Sequence, residues 1–379
     1  MEEDLLNTSV DSWDGDEDIN KIIDLQNTQD IQLDVGGQHG DKYKLTSGNR
    51  TYFAKEYKAS EQLLETASCS AMLSCFSHTP YPVGIKKINN KNFIVFRYDQ
   101  EDDTKQETNQ QIHQYLESIN SKLFLEWNDR NSYIKNFALQ FNDLPVYGKN
   151  YFIQLITQLC FFGLKDRHSN NILFEKNGMH HIDIDYDNKF MFDANSVNDL
   201  KALYGYYIQI LADVNNNNII NQCHQYLTNT INKILNIDYG KFTDRFIRNC
   251  IVLGVKEEDA YNHYNTFINN MRTYVSNTIT CINETIKKHH NDRNQNWHTF
   301  FNSLLQGLKQ MNNNILHNDN TITISRKDFE NQFKSKQDKL NTSYFDICND
   351  CTNRCLSLCN SCLSLCSCRR KQTTETTYQ

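Results

Sequence analysis

Along the first hundred residues, short apolar runs alternate with polar residues and turn residues. Residues 42–45, 50–56 and 91–98 have the length and composition of strands. Between the first two, Ser47-Gly48-Asn49 favours a hairpin turn. These patterns predict a small, strand-rich region near the start of the chain.

One helix interrupts this strand-rich region. Ser60 is a suitable N-cap because its hydroxyl can accept a backbone N–H at a helix start. The apolar positions that follow recur at helical spacing: Leu64, Ala67, Ala71 and Cys75. The pattern predicts a helix over residues 60–76.

Helical periodicity dominates the later part of the chain. Helices are predicted at 110–127, 151–162, 196–219, 222–235, 257–286 and 296–316. Between the second and third helices, residues 171–174 and 179–184 favour two short strands joined by a turn at Lys176-Asn177-Gly178. Proline is scarce, at 3 residues, which also favours a helix-rich body. The predicted class is α+β.

Two polar segments flank this short hairpin. Asp166-Arg167-His168-Ser169-Asn170-Asn171 precedes its first strand, and Asp183 lies near the end of its second. Phosphoryl transfer from ATP needs a carboxylate that orients a hydroxyl, and an asparagine and a second aspartate that hold Mg²⁺. The spacing predicts that Asp183 faces Asn171 across the hairpin.

A family resemblance rests on the same residues. Gly163-Leu-Lys-Asp-Arg-His-Ser-Asn-Asn-Ile-Leu and His181-Ile-Asp resemble the catalytic and metal-binding loops of the phosphoinositide 3/4-kinases. More broadly, they resemble the atypical branch of the protein-kinase-like fold, which includes actin-fragmin kinase, HipA-type kinases and aminoglycoside phosphotransferases. The order Asp-Arg-His, in place of the His-Arg-Asp of ordinary protein kinases, is typical of that branch.

The resemblance implies a two-lobed fold, with a small mostly-β N-lobe that carries one helix and a larger helical C-lobe. It implies ATP with Mg²⁺ or Mn²⁺ as cofactors. Asp166 would be the catalytic base, and Asn171 and Asp183 the metal ligands. His168 would have a structural role or contact phosphate.

The N-terminal region contains a glycine cluster before its first predicted hairpin. Gly36, Gly37 and Gly40 would let backbone N–H groups approach phosphates. The hairpin ends in Phe53-Ala54-Lys55, which predicts that Lys55 reaches the α- and β-phosphates. Ordinary kinases have a small residue where this chain has Phe53. Either the adenine pocket has a different shape, or the strand register differs.

A phosphate-positioning lysine needs a carboxylate to hold it. The predicted helix over 60–76 supplies Glu65, with Glu61 as the fallback. The run from Glu65 to Val83 resembles the corresponding helix of aminoglycoside phosphotransferases. After it, Phe96 and Tyr98 end a predicted strand and would line the adenine edge through their backbone groups.

Composition narrows the class further. The formal net charge of −7 argues against general nucleic-acid binding. No run of about 18 apolar residues predicts a transmembrane helix. The first residues lack a basic segment followed by an apolar one, so we expect no secretory signal. Cysteines 69, 75, 160, 223, 250 and 281 occupy apolar positions and are expected to be buried thiols.

Four regions are predicted. Residues 1–30 form an acidic, flexible N-terminus, residues 31–100 the N-lobe, residues 101–340 the helical C-lobe, and residues 341–379 a cysteine-rich tail. The tail carries Cys348, Cys351, Cys355, Cys359, Cys362, Cys366 and Cys368. Their spacing, the interleaved leucines and the following Arg369-Arg370-Lys371 favour S-acylation and a membrane surface, with a metal site second.

The acceptor is predicted from the segment after Asp183. Acidic residues at 185, 187, 193 and 199, against Lys189, do not suit a phosphoinositide headgroup. A protein hydroxyl is therefore preferred, with a lipid or small molecule as runner-up. AMP transfer or a membrane-anchored nucleotide-binding scaffold are further alternatives.

Two expectations concern the setting in which the chain acts. Its composition indicates an AT-rich genome and, with the divergent kinase-like core, resembles that of a secreted bacterial effector of the Legionella or Coxiella type. This resemblance implies non-classical export, a host protein substrate and the cytosolic face of host membranes. Lys287, Lys288 and Arg293 form a basic cluster in an acidic chain. This cluster predicts binding of a polyanion such as an inositol phosphate or a phosphoinositide.

Overall fold

The structure is a computed structural model of the chain. It describes the following residues: 29–32, 41–47, 50–75, 81–97, 153, 157–158, 160–163, 172–174, 181–183, 191–192, 217–288, 295–317 and 322–340.

A five-stranded antiparallel sheet forms the N-terminal part of the molecule. Its strands are β1 (Gln29–Gln32), β2 (Lys42–Ser47), β3 (Arg50–Glu56), β4 (Tyr81–Ile88) and β5 (Lys91–Arg97), in the spatial order β1-β2-β3-β5-β4. Ser47 pairs with Arg50, so β2 and β3 form the predicted hairpin. The patterns at 42–45, 50–56 and 91–98 are confirmed as strands.

Two strands were missed by the sequence patterns. β1 is polar and exposed, as an edge strand that does not bury a face. β4 contains Pro82 and Gly84, which are unfavourable in regular strands, and its register with β5 shifts between these residues. Pairing with β5 forms β4 in spite of its composition.

The two faces of the sheet pack into different cores because side chains alternate along a strand. One face forms a small core of Tyr43, Leu45, Tyr52, Ala54, Ile88, Phe93 and Val95. The opposite face, with Ile94 and Phe96, belongs to the main core, which it shares with the helices.

Helix α1 (Ser60–Leu73) lies on that second face. Leu63 and Ala67 belong to the same core as Ile94 and Phe96. The sequence predicted an apolar stripe on one side, but every residue from Thr66 to Ser74 is buried, as expected for a helix enclosed on all sides.

The N-cap of α1 also differs from the prediction. Ala59 occupies the N-cap position, and Ser60 is the first helical residue. Gln62 Oε1 accepts hydrogen bonds from the backbone N–H groups of Lys58 and Ala59, over 2.7 and 3.2 Å. The prediction of Ser60 as the N-cap was wrong because the helix begins one residue earlier, with Ala59 at the N-cap, and the Gln62 side chain reaches back to the N–H groups that precede the helix.

Among the described residues from 217 onwards, five helices follow one another: α2 (Asn217–Leu235), α3 (Tyr239–Val252), α4 (Glu257–Lys288), α5 (Gln295–His317) and α6 (326–340). α4 and α5 match their predictions closely. The predicted break between 219 and 222 is wrong, since α2 runs through it. α3 and α6 were missed. The prediction at 110–127 lies outside the described residues. In the segment 151–162, the described residues are helical.

α3 connects the helical part to the sheet. It packs against α1, β4 and α4, while α5 packs against α4 and α2. Asp238 caps its N-terminus, where Oδ1 accepts from Gly240 N at 2.9 Å and from Lys241 N at 3.1 Å. A hairpin of β6 (Ile172–Phe174) and β7 (His181–Asp183) completes the described elements, close to the predicted bounds.

The predicted fold class is therefore confirmed. A small antiparallel sheet with one helix joins a larger helical part, as the predicted α+β class requires. Among the helices that the structure describes, none combines the length and the apolar character needed to cross a membrane.

Candidate active site

Lys55 is the buried lysine of the sheet. It lies on β3 with 5% of its surface exposed, whereas charged side chains are rarely buried without a specific role or partner. Two other sheet lysines make ion pairs at more accessible positions. Lys86 Nζ lies 2.6 Å from Asp30 Oδ1, and Lys91 Nζ lies 2.7 Å from Asp41 Oδ2.

The strand register fixes the face on which Lys55 lies. Lys55 pairs with Ile94, and directly opposed residues of antiparallel strands share a face. Ile94 belongs to the main core together with Leu63 and Ala67 of α1. Lys55 therefore lies on the sheet face that carries α1.

α1 carries the predicted partner of this lysine. Glu65 is half-buried, and its Oε2 atom is buried. Glu61, the fallback choice, is exposed in the first turn of the helix. The structure thus brings the strand of Lys55 and the helix of Glu65 into one core, and burial favours Glu65 over Glu61 as the partner.

Phe53 lies on the same face as Lys55, two residues earlier on β3. It pairs with Phe96 of β5 and is half-buried against the main core. The register thus places Phe53 on the same face as Lys55, and a differently shaped adenine pocket stays a prediction. Phe53 and Phe96 therefore lie side by side on β3 and β5, whereas ordinary kinases have a small residue at the position of Phe53.

The β6–β7 hairpin contains one of the two predicted metal ligands. Asp183 ends β7 and pairs with Ile172, the residue that follows Asn171 in the chain. Asn171 itself lies outside the described residues, as do Asp166 and His168. The glycines Gly36, Gly37 and Gly40, and Tyr98 of the predicted hinge, lie outside them as well. Their predicted roles stay predictions.

A set of polar side chains that the sequence did not single out joins α1 to the helical part. We call it the polar seam, and it consists of Arg245, Arg248 and Asn249 on α3 and His263 on α4. The three α3 residues lie at helical spacing on the side that packs against α1 and β4. The spacing of these residues within Arg-Phe-Ile-Arg-Asn-Cys could have predicted that they share one side of a helix. Charged residues at such spacing are usually interpreted as a solvent-exposed face.

Arg248 and Asn249 form a continuous path from the sheet to α1. Arg248 Nη1 donates to the Pro82 carbonyl over 2.7 Å and to Asn249 Oδ1 over 3.0 Å. Its guanidinium lies 4.9 Å from the centre of the Tyr81 ring. Asn249 Nδ2 donates to the Ala67 carbonyl over 3.1 Å. Burial lowers the pKa of Arg248 to about 10, so it stays charged at neutral pH.

His263 and Arg245 bind α1 at two further positions, Ser68 and the C-cap residue Ser74. His263 Nε2 lies 3.1 Å from Ser68 Oγ, which is also bonded to the carbonyls of Leu64 and Glu65. Burial lowers the pKa of His263 to about 4, so its ring is neutral at physiological pH. Arg245 Nη1 donates to the Ser74 carbonyl over 2.8 Å at the C-cap of α1.

The remaining candidates are the basic cluster and the cysteines. Lys287 and Lys288 are exposed at the C-terminal end of α4, and Arg293 lies outside the described residues. The seven tail cysteines also lie outside them. Of the six thiols predicted to be buried, five are buried and Cys75 is half-buried. Burial raises the pKa of Cys75 to about 11, so its thiol is un-ionised at neutral pH.

Comparison with known proteins gives matches at the level of solved structures. The proinflammatory kinase CtkA of Helicobacter pylori matches with a TM-score of 0.42 and 14% identity, over 69% of this chain and 99% of that one. Spectinomycin phosphotransferase APH(9)-Ia matches with a TM-score of 0.22 and 13% identity, over 63% and 88%. Choline kinase LicA from Streptococcus pneumoniae matches with a TM-score of 0.22 and 13% identity, over 64% and 94%.

All three neighbours are kinases or phosphotransferases by name. At such low identities and TM-scores, the similarities do not define a substrate, a cofactor or a mechanism for this chain. No protein-family model matches the sequence, and no curated protein matches it.

Proposed function

We propose that this chain is an ATP- and Mg²⁺-dependent phosphotransferase that moves the γ-phosphate of ATP to a hydroxyl group. The observation that carries the proposal is the buried lysine Lys55, on the sheet face that carries the helix of Glu65. The loop motif around Asp166 and the hairpin ending at Asp183 supply the groups that this chemistry further requires.

Each residue has a distinct role in this proposal. The Lys55 ammonium would attract the α- and β-phosphates, and the Glu65 carboxylate would hold that ammonium in place. Asp166 would orient the acceptor hydroxyl and accept its proton as the new O–P bond forms and ADP leaves. Asn171 and Asp183 are the donor types that Mg²⁺ takes, and they would hold it. The metal, when bound, would neutralise phosphate charge.

A protein hydroxyl is the proposed acceptor. The segment that follows Asp183 is acidic, with Lys189 as the lone basic residue before Lys201. A phosphoinositide already carries phosphates and would be repelled there, whereas a basic peptide would be attracted. A lipid or small molecule is the alternative acceptor, because the loop order resembles that of lipid kinases.

The test uses the purified chain with Mg²⁺ and labelled ATP, beside Asp166→Ala. A cell lysate, phosphoinositide vesicles and small alcohols are offered as acceptors. Label from the γ-phosphate on a lysate protein, absent with Asp166→Ala, is the expected result. Label on lipid would replace the protein acceptor with a lipid one. Label from the α-phosphate would indicate AMP transfer, and no transfer to any acceptor would contradict the proposal.

A further inference from the structure

The position of α1 is set by hydrogen bonds as well as by apolar packing. Apolar contacts are non-directional, so a helix held by them alone can slide or rotate at small cost. Buried hydrogen bonds are directional, and a misplaced donor or acceptor in the interior is left without its partner, which is unfavourable. The polar seam therefore fixes the height and rotation of α1 more tightly than its apolar residues do.

The seam acts on the turn of α1 that carries Glu65. Ser68 Oγ contacts the Glu65 carbonyl oxygen at 3.1 Å, and the same hydroxyl contacts His263 Nε2 at 3.1 Å. Asn249 binds the carbonyl of Ala67, two residues after Glu65. Asn249 bonds a backbone carbonyl directly, and His263 reaches one through the Ser68 hydroxyl, so both act on the helix whatever the rotamer of Glu65.

The same seam also reaches the sheet. Arg248 is 6% exposed and joins Asn249 to the Pro82 carbonyl on β4, at the irregularity in that strand. β4 pairs with β5, and β5 pairs with β3, the strand of Lys55. One hydrogen-bonded path through side chains of α3 thus connects the helix of Glu65 to the sheet of Lys55.

We propose that Asn249 and His263 are positioning residues for Glu65, which hold its carboxylate at the height where it can fix the Lys55 ammonium. Arg248 orients Asn249, and Arg245 holds the far end of α1. This inference rests on the proposed phosphotransferase function. It adds that helices α3 and α4, distant in sequence from the nucleotide-binding residues, determine how well the lysine is held.

Asn249→Asp separates positioning from folding. The aspartate keeps an acceptor for Arg248 and adds an opposite charge, but it has no donor for the Ala67 carbonyl and repels that oxygen. We expect a melting temperature close to that of the wild type and a kcat for phosphate transfer that is lower by roughly tenfold. The KM for ATP should change little, because the proposed adenine contacts are not touched.

His263 offers a second and independent pair of variants. His263→Gln supplies an amide that can bond Ser68 in place of the imidazole, whereas His263→Phe keeps only an aromatic ring beside Phe246 and Phe267. We expect His263→Gln to keep most of the transfer rate and His263→Phe to lose it by several-fold. Equal rates in two folded variants would contradict the proposal.

A double-mutant cycle with Glu65→Gln identifies the residue through which the seam acts. If Asn249 works by placing Glu65, then Asn249→Asp should lower kcat in the wild-type background and have no further effect in Glu65→Gln. Additive losses would indicate general destabilisation and overturn the inference. Thr243→Val is the matched control, since it removes the 2.9 Å contact with Tyr264 in the same helix pair without touching α1.

The outcomes distinguish the two proposals. A wild-type chain that transfers no phosphate to any acceptor contradicts the proposed function. A wild-type chain that transfers phosphate while folded Asn249→Asp and His263→Phe do so at an unchanged kcat leaves that function standing and removes the positioning role. If Asn249→Asp does not fold, the His263 pair decides the question.

Discussion

At the scale of single residues, burial separates Lys55 from the other lysines of the sheet. Replacing it with methionine keeps the volume of the side chain and removes the charge, so the fold should be retained. We expect Lys55→Met to lower phosphate transfer by roughly 100- to 1,000-fold, because the phosphates lose a preorganised charge. Transfer of labelled phosphate is the measurement. Lys87→Met, at an exposed position of the same sheet, should transfer at the wild-type rate.

Asp183 is tested by metal dependence. Asp183→Ala should abolish the Mg²⁺-dependent part of ATP binding, because the metal loses a charged oxygen ligand. Calorimetric titration with ATP in the presence and absence of Mg²⁺ measures this part directly. Asp259→Ala, at an exposed position of α4, is the control and should bind as the wild type does. Equal Mg²⁺ dependence in Asp183→Ala and the wild type would remove Asp183 from the metal site.

His263 gives the folded protein a pH dependence. The pKa of its imidazole is about 4 in the fold against 6.5 ordinarily, since burial among Phe246, Phe267 and the Ser68 hydroxyl disfavours the charged ring. Between these values the unfolded chain binds a proton that the folded chain does not. The free energy of unfolding therefore falls as pH drops from 6.5 towards 4, by up to about 3 kcal/mol.

Denaturant unfolding at several pH values checks this sign. His263→Gln lacks the titrating ring, so it should lose less stability than the wild type between neutral pH and the pKa of about 4. Carboxylates that titrate in the same range affect both proteins equally and cancel in the difference. Parallel pH profiles would show that His263 takes up its proton equally in both states.

At the scale of elements, α2 and α5 pack closely because Gly307 has no side chain. A Cβ at Gly307 of α5 would lie 2.7 Å from Ile231 Cγ2 of α2 and 3.0 Å from Phe161 Cζ. Gly307→Ala gains helix propensity but forces α2 and α5 apart, and we expect a net destabilisation of about 1–2 kcal/mol. Thermal unfolding measures it. Gln306→Ala, at the exposed neighbouring position, should be neutral or slightly stabilising.

The sequence predicted those elements whose pattern agrees with their surroundings. α4 and α5 keep an apolar stripe over many turns, and β2, β3 and β5 have clear strand composition, so local preference and burial coincide. β4 is formed by pairing despite its proline and glycine. α3 was missed because Arg245, Arg248 and Asn249 occupy positions that a simple amphipathic pattern reserves for apolar residues.

At the scale of the whole molecule, the sheet and the helical part share one core. The main cluster of buried residues joins Ile94 and Phe96 of β5 to α1 and to the C-terminal helices. A shared core and the polar seam make separate unfolding of α1 unfavourable. We therefore expect α1 and α3 to open together as one cooperative unit.

Native-state hydrogen exchange followed by mass spectrometry tests this cooperativity. Amides of α1 between Ala67 and Leu73 and amides of α3 should give opening free energies that agree within about 1 kcal/mol. Asn249→Ala, which loses the contacts to both Arg248 and the Ala67 carbonyl, should lower both together. Exchange of α1 through a local opening of lower free energy, with α3 still protected, would show that the helix of Glu65 moves independently of the helical part.

Local patterns in the amino-acid sequence were sufficient to predict the α+β class, the β2–β3 hairpin with Lys55, the short hairpin ending at Asp183 and the long helices, because period-two and period-3.6 patterns are local properties of a chain. Packing between elements decided that residues 66–74, from the middle of α1 to its C-cap, are buried on every side and that Lys55 is buried on its face of the sheet. Packing also decided that polar residues of α3 and α4 bind α1, with Asn249 and His263 at the turn that follows Glu65. Those outcomes depend on which surfaces meet, and pairing between residues some 200 positions apart leaves no local pattern to read.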